Sequence, residues 1–247
     1  MMRSLAWDGC DNVRDLGGLP TEDGGETRRG AVVRSDNVRN LSATGWQALV
    51  DYGVRTVVDL RFEQERAGDP PGDPPAQVGV VHSPFLAGWT PEEGEELRAR
   101  VDPLEPARRV RETYFHQLVA SRENAARVVA AIAHAPEGGV LVHCMGGKDR
   151  TGMLSALLLR LAGVSTEAIA DDYYESEANL AHLTQRWISS GEDEAERARR
   201  AWLAPISREG MVGVIEKLEG RYGSVEAYLL GGGATADELA RVRARLR

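Results

Sequence analysis

The chain has 247 residues, 42% of them apolar and 28% charged, with a formal net charge of −8. It is long enough to bury a substantial core, and its acidity excludes a general nucleic-acid binder, which would carry a basic face. No run of about 18 apolar residues occurs, so no integral membrane segment is expected, and Met1 to Cys10 lacks the apolar stretch of a signal peptide.

In chain order, Ala31 to Arg34 reads as a short strand. Ser42 can cap a helix that runs to about Tyr52 and stops at Gly53. Val54 to Leu60 is β-branched and nearly all apolar, which predicts a buried strand. Asp69 to Pro75 (DPPGDPP) is a turn-rich linker, and Val78 to His82 is a further strand. Thr90-Pro91-Glu92-Glu93 combines an N-cap, a proline at the first helical position and a glutamate at the third. The charged stretch of about 88–120, broken by Pro103 and Pro106, reads as a helical insertion or lid. Asn124 to Ala135 is a helix ended by Pro136 and two glycines, and Val140-Leu141-Val142 is a short buried strand.

Thr151 to Leu161 is apolar on nearly all sides, the pattern of a buried helix. The rest, about 164–247, is helical: Thr166 to about Ser189, Glu192 to Leu203, Ser207 to Tyr222, and a last helix opened by a Thr235/Glu238 capping box. Strands that alternate with helices argue for an α/β layer with a mostly parallel sheet. A single domain over 1–247, with a helical elaboration, is the simplest organisation. Only two cysteines occur, Cys10 and Cys144, which fits a reducing cytoplasm; export without a classical signal stays open.

The informative residues are His143 to Gly152 (HCMGGKDRTG). A strand ends, two glycines let the backbone curl, and a buried helix begins. Successive backbone N–H groups then form an anion-binding nest at a positive helix N-terminus, suited to phosphate or sulfate. Cys144 opens this loop and Arg150 closes it. N–H groups, the helix dipole and Arg150 all favour a thiolate at Cys144. The planar fork of Arg150 can hold two phosphate oxygens. Met145, Gly146, Gly147 and Lys148 supply the cradle, and Thr151 can donate its hydroxyl to the departing sulfur. Together these predict nucleophilic attack on phosphorus.

The loop matches the HCxxGxxRTG signature of the protein tyrosine phosphatase superfamily. Its GKDRTG form resembles the bacterial tyrosine phosphatases with dual lipid and protein specificity. Asn12 to Gly18 (NVRDLGG), Val33-Arg34-Ser35, Val58 to Arg61 (VDLR), Asp172-Tyr173 and Tyr222-Gly223-Ser224 resemble that family's other segments, in its order. The resemblance is weakest over about 66–120. It implies a three-layer α/β fold and a reaction without metal or other cofactor. It also implies phosphorylated protein substrates carrying phosphotyrosine, phosphoserine or phosphothreonine, or phosphoinositides. Cys144 is carried over as the nucleophile and Arg150 as the phosphate clamp.

The general acid is not where the superfamily usually keeps it, because Ser83 to Trp89 holds no carboxylate. Glu92 and Glu93 read as capping residues. Asp149 is the better candidate: beside a phosphate dianion a carboxylate is repelled unless it carries a proton. The alternative is that Asp149 turns away to pair with an arginine. His143 is expected to hydrogen-bond backbone, and the scattered histidines 82, 116, 134 and 182 show no metal-ligand spacing. Arg14 with Asp15, and Asp59 with Arg61, read as buried contacts that orient the loop. Asp172 reads as a water-orienting group or a plain salt bridge, Tyr173 and Tyr174 as packing, and Cys10 as an ordinary thiol or a redox partner for Cys144. A sulfurtransferase of the rhodanese kind would also head an anion loop with cysteine, but Arg150-Thr151-Gly152 favours phosphate. A phosphate-binding module without turnover is the remaining alternative.

Overall fold

The computed structural model describes residues 3–69 and 72–247. Pro70 and Pro71 of the expected Asp69–Pro75 linker therefore lie outside the described residues. Five strands form one sheet: β1 (Arg14–Asp15), β2 (Val32–Ser35), β3 (Val54–Asp59), β4 (Gly79–His82) and β5 (Gly139–His143). Their order across the sheet is β1-β2-β5-β3-β4, with only β1 antiparallel to its neighbour. This is the mostly parallel α/β sheet expected from the sequence.

Alternate side chains of the central strands enter two separate cores, as the two-residue period of a strand requires. Val32, Val58, Val140 and Val142 face a large helical layer. Val33, Val57 and Leu141 face Trp7, Trp46 and Leu49 on the other side. Both faces are thus covered, which is why Val57-Val58 of β3 and Val140-Leu141-Val142 of β5 are consecutive apolar residues. The helices are α1 (Ala43–Asp51), α2 (Glu63–Gly68), α3 (Pro91–Val101), α4 (Pro106–Ala120), α5 (Arg122–Ala133), α6 (Asp149–Leu161), α7 (Thr166–Ser189), α8 (Glu194–Leu203), α9 (Arg208–Tyr222), α10 (Val225–Leu230) and α11 (Ala236–Leu246).

Start signals sit where the sequence put them. The side chains of Ser42, Thr90, Ser207 and Thr235 each accept a first-turn amide, and Glu93 returns to the Thr90 amide at 2.8 Å. The differences are short elements: α2, α10 and the two-residue β1 carry too few residues for periodicity to announce them. The buried helix also begins at Asp149, two residues earlier than its apolar run, so Asp149 and Arg150 stand on its first turn.

Register sets the place of the site. Ser35 and Asp59 flank His143 on either side in the parallel ladder, so three strands end at one level. The chain leaves β5 there into Cys144, at the carboxyl edge where parallel α/β sheets open a crevice.

Candidate active site

Residues 144–148 form the turn between β5 and α6. Only Gly147 of the two glycines adopts a left-handed conformation, with φ +64°, and a Cβ there would lie 2.5 Å from the Ser35 carbonyl oxygen. Gly146 has a negative φ and open space around it. The expectation that both glycines curl the loop is thus met by Gly147 alone.

The loop's carbonyls are tied from outside. Asn12 Nδ2 donates to the Gly146 and Gly147 oxygens, both at 3.2 Å, and Arg34 Nη2 donates to the Gly147 oxygen at 2.8 Å. The Asn37 amide donates to the Met145 oxygen at 3.0 Å. Among the described residues, the backbone N–H groups of Met145 to Asp149 have no protein acceptor. A loop with engaged carbonyls and unengaged amides at a helix N-terminus is a site for an anion.

Arg34 and Arg14 are fully buried and converge on Asp172, itself 1% exposed. Arg34 Nη1 donates to Asp172 Oδ2 at 2.6 Å, and Arg3 Nη1 and Arg14 Nε donate to Oδ1 at 2.8 and 3.2 Å. Burial alone would raise the Asp172 carboxyl, but the Arg14, Arg34 and Arg3 charges hold it far below the ordinary range. Three guanidinium groups saturate its oxygens, so Asp172 is the salt bridge of the two sequence readings. Arg14 does not pair with Asp15, contrary to expectation. Asp15 instead accepts the amides of Gly17 and Gly30 at 2.8 and 2.7 Å and the Tyr52 hydroxyl at 2.5 Å. Adjacent residues on a strand face opposite sides, which separates the two.

Asp59 and Arg61 do pair, at 2.9 Å for Nε to Oδ1 and 2.8 Å for Nη2 to Oδ2. His143 Nδ1 meets the Cys144 carbonyl at 3.1 Å, and its Nε2 lies 3.8 Å from Asp59 Oδ1. Burial pushes the His143 ring down to about 4 despite Asp59, so it is neutral at pH 7. The backbone-bonding reading of this histidine matches that geometry.

Arg150 is held by a residue the sequence reading missed. Its Nη1 and Nη2 donate to Glu65 Oε2 and Oε1 at 2.5 and 2.9 Å, and its guanidinium carbon lies 5.4 Å from the Phe62 ring centre. Burial disfavours the Arg150 charge, but the Glu65 hydrogen bonds and the charges of Cys144 and Glu65 outweigh that and raise its pKa. Glu65 Oε2 also accepts the Phe62 amide at 2.8 Å. A glutamate four residues after Arg61 was the available signal, but nothing in spacing ties it to Arg150.

Asp149 follows neither sequence alternative in full. Among the described residues it pairs with no arginine; Tyr114 donates its hydroxyl to Asp149 Oδ1, and Lys148 Nζ lies 3.7 Å from the same oxygen. Tyr114 also meets the Tyr173 hydroxyl at 2.9 Å, so Tyr173 is hydrogen-bonded as well as packed. Thr151 is fully buried, and its Oγ1 has no hydrogen-bond partner among the described residues, the Cys144 sulfur included. Cys144 is 3% exposed, whereas Met145 is 43% exposed at the rim. Cys10 donates to the Asn37 carbonyl at 3.5 Å, and burial and Asp36 hold its thiol protonated far above the ordinary range. That makes it a poor redox nucleophile.

A cleft of about 580 Å³ opens against Lys148, Asp149 and Arg150. Phe62, Trp89, Leu97, Val101 and Tyr114 give it an apolar wall from α3, α4 and the segments before α2 and α3. Cys144 is not itself part of that wall. Among the described residues, no group of three or more His, Cys, Asp or Glu is placed to hold a metal.

A cysteine and an arginine at the two ends of an amide-lined loop, between a parallel strand and a buried helix, define the cysteine phosphatase class. The model of the tyrosine phosphatase family matches residues 5–247, and the chain belongs to that family. It is accordingly a cysteine-dependent phosphoric monoester hydrolase. Over 188 residues it is 33% identical to a Cupriavidus necator chain named for tyrosine-protein phosphatase activity, covering 73% of this chain and 66% of that one. It is 28% identical to a tyrosine-protein phosphatase of Nostoc commune, covering 87% and 74% of the two chains. It is 26% identical to the triple specificity protein phosphatase PtpB of Mycobacterium tuberculosis, covering 95% and 96%.

Proposed function

We propose that Cys144 is the nucleophile of a phosphatase that acts on phosphorylated proteins, phosphotyrosine first among them. The observation that carries this reading is the row of unengaged amides from Met145 to Asp149, closed by Arg150. The Cys144 thiolate attacks phosphorus, a sulfur–phosphorus bond forms, and the bond to the leaving oxygen breaks. Amides of Met145, Gly146, Gly147 and Lys148, with the Arg150 fork, hold the three equatorial oxygens as charge builds there. Asp149, on the cleft wall, gives its proton to the leaving oxygen. Water then breaks the sulfur–phosphorus bond and returns a proton to Asp149. Lys148 adds a positive charge beside the phosphate, and Thr151 is placed on the helix turn that carries Arg150.

The apolar cleft favours an aryl group beside the phosphate. Two relatives are named for phosphotyrosine and one for three specificities. Phosphoserine, phosphothreonine and phosphoinositides are therefore the further substrates in our reading, with α3 and α4 as a lid over the cleft. Two free cysteines suit a cytoplasmic site of action. Among the described residues, no helix is long and apolar enough to cross a membrane.

Hydrolysis of para-nitrophenyl phosphate with EDTA and a reductant tests the route. Turnover that persists in the wild type and vanishes in Cys144→Ser is the expected result. An inactive wild type from acidic to neutral pH would leave only phosphate binding. For the acid, Asp149→Asn should spare an aryl phosphate with a good leaving group and cripple an alkyl phosphate; equal losses would remove Asp149 from that role.

A further inference from the structure

A second cavity, of about 480 Å³, lies between α3, α4 and α9. Its wall carries Arg100, Arg108, Arg111, Lys217 and Arg221 against one carboxylate, Glu112. Such a concentration is unusual in a chain of net charge −8 whose only lysines are Lys148 and Lys217. Several surface arginines elsewhere are neutralised locally, Arg160 by Glu219, Arg243 by Glu226 and Arg241 by Asp237, and others stand singly. Here Glu112 serves both Arg111 and Lys217, and no carboxylate lies within ion-pair distance of Arg100, Arg108 or Arg221 among the described residues.

The centre of the cluster, Arg111 with Lys217, is built by close packing, and Arg100, Arg108 and Arg221 stand exposed around it. Gly210 and Gly213 let α9 lie against α4: a Cβ at 213 would sit 2.7 Å from Arg111 Cδ, and one at 210 would sit 2.8 Å from Val110 Cβ. Arg111 and Lys217 are thereby brought to opposite sides of Glu112, and the Lys217 ammonium rests 4.5 Å from the Phe115 ring centre. Arg100 donates to His116 Nδ1 at 3.3 Å, which keeps that ring nitrogen an acceptor and the imidazole neutral. Cationic heads gathered around one cavity with a single carboxylate repel one another unless an anion lies between them. One phosphate is satisfied by an arginine fork and a few donors, so five cations exceed its needs.

We infer that this cavity is a second, non-catalytic site for a ligand carrying two or more phosphate groups, either soluble or as a lipid headgroup. It is separate from the catalytic cleft, with which it shares only Val101 of α3. The inference does not rest on the role proposed for Cys144.

The test is calorimetric titration of inositol hexakisphosphate into the wild type, Arg150→Met and the double variant Arg108→Ala/Arg221→Ala. The wild type and Arg150→Met should bind alike, and the double variant about 10²-fold more weakly, roughly tenfold for each charge-assisted contact removed. Unchanged para-nitrophenyl phosphate turnover by the double variant shows that it is folded. Phosphatidylcholine vesicles carrying phosphatidylinositol bisphosphate identify the source. Binding to them beside none to the soluble polyphosphate would assign a lipid headgroup, and the reverse a free ligand. Binding lost in Arg150→Met but kept in the double variant would place the ligand in the catalytic loop and overturn the inference. So would no binding by the wild type to either the soluble polyphosphate or the phosphoinositide vesicles, or equal binding to vesicles in which phosphatidylserine supplies the same charge.

Discussion

Arg150 and Glu65 meet fork to fork, Nη1 on Oε2 at 2.5 Å and Nη2 on Oε1 at 2.9 Å. The pair joins the first turn of α6 to the first turn of α2. It aligns the planar guanidinium before any phosphate arrives, and alignment is what a bidentate clamp needs.

Glu65→Gln should therefore lower kcat/KM by roughly 10²-fold through a misplaced Arg150, with the fold retained. Steady-state kinetics on an aryl phosphate, with vanadate affinity alongside, decide the matter. If vanadate bound the variant more tightly than the wild type, Glu65 would be a competitor for the fork and not its support.

The two loop glycines make different demands. Gly147→Ala forces an L side chain into φ +64° and against the Ser35 carbonyl at 2.5 Å, whereas Gly146 has open space. A cost of about 1–3 kcal/mol is expected for Gly147→Ala. At this chain length that lowers the thermal midpoint by roughly 2–4 °C per kcal/mol. Gly146→Ala should stay within about 0.5 kcal/mol of the wild type. Calorimetric melts of both variants test this, and a Gly147→Ala as stable as Gly146→Ala would refute the argument.

The loop was legible in the sequence because chemistry there is concentrated in ten consecutive residues, His143 to Gly152. So were the strands Val54–Asp59 and Gly139–His143, whose apolar runs state burial directly, and the helices with side-chain caps. What escaped are partnerships across long stretches of chain. Glu65 is 85 residues from Arg150, and Tyr114 is 35 from Asp149. Glu65 sits in a helix too short for periodicity to announce, and Tyr114 in the charged stretch that reads as an insertion or lid. Arg14 and Asp15 stand together in sequence yet serve different networks, because a strand sends neighbours to opposite faces. Spacing reports a motif; only register and packing report who meets whom.

His143 sets a pH dependence whose sign is fixed by its depressed value. Its ring, at about 4 when folded against an ordinary 6.5, binds a proton more readily in the unfolded chain. Stability from this group is full above about pH 6.5 and is lost as pH falls toward 4. The loss should be a few kcal/mol at most, since Asp59 offsets part of the burial. Urea unfolding of wild type and His143→Asn between about pH 7 and about pH 4.5 checks this. The variant should show the shallower slope; parallel slopes would assign the effect elsewhere.

Asp172 is the point at which the loop's support is most exposed to damage. Its carboxylate is the shared partner of Arg3, Arg14 and Arg34, two of them fully buried, and Arg34 in turn holds the Gly147 carbonyl. Removing it leaves Arg34 buried without a carboxylate and Arg14 with only Glu175 at 3.7 Å, a loss of about 3–5 kcal/mol. Asp172→Asn keeps the shape and one of the two acceptor oxygens but not the charge, so it should fall between wild type and Asp172→Ala. If the node acts through Arg34, Arg34→Ala should weaken vanadate binding as Asp172→Asn does, and the pair of changes should cost less than the sum. Strict additivity in a double-mutant cycle would mean that Asp172 stabilises the fold without positioning the loop.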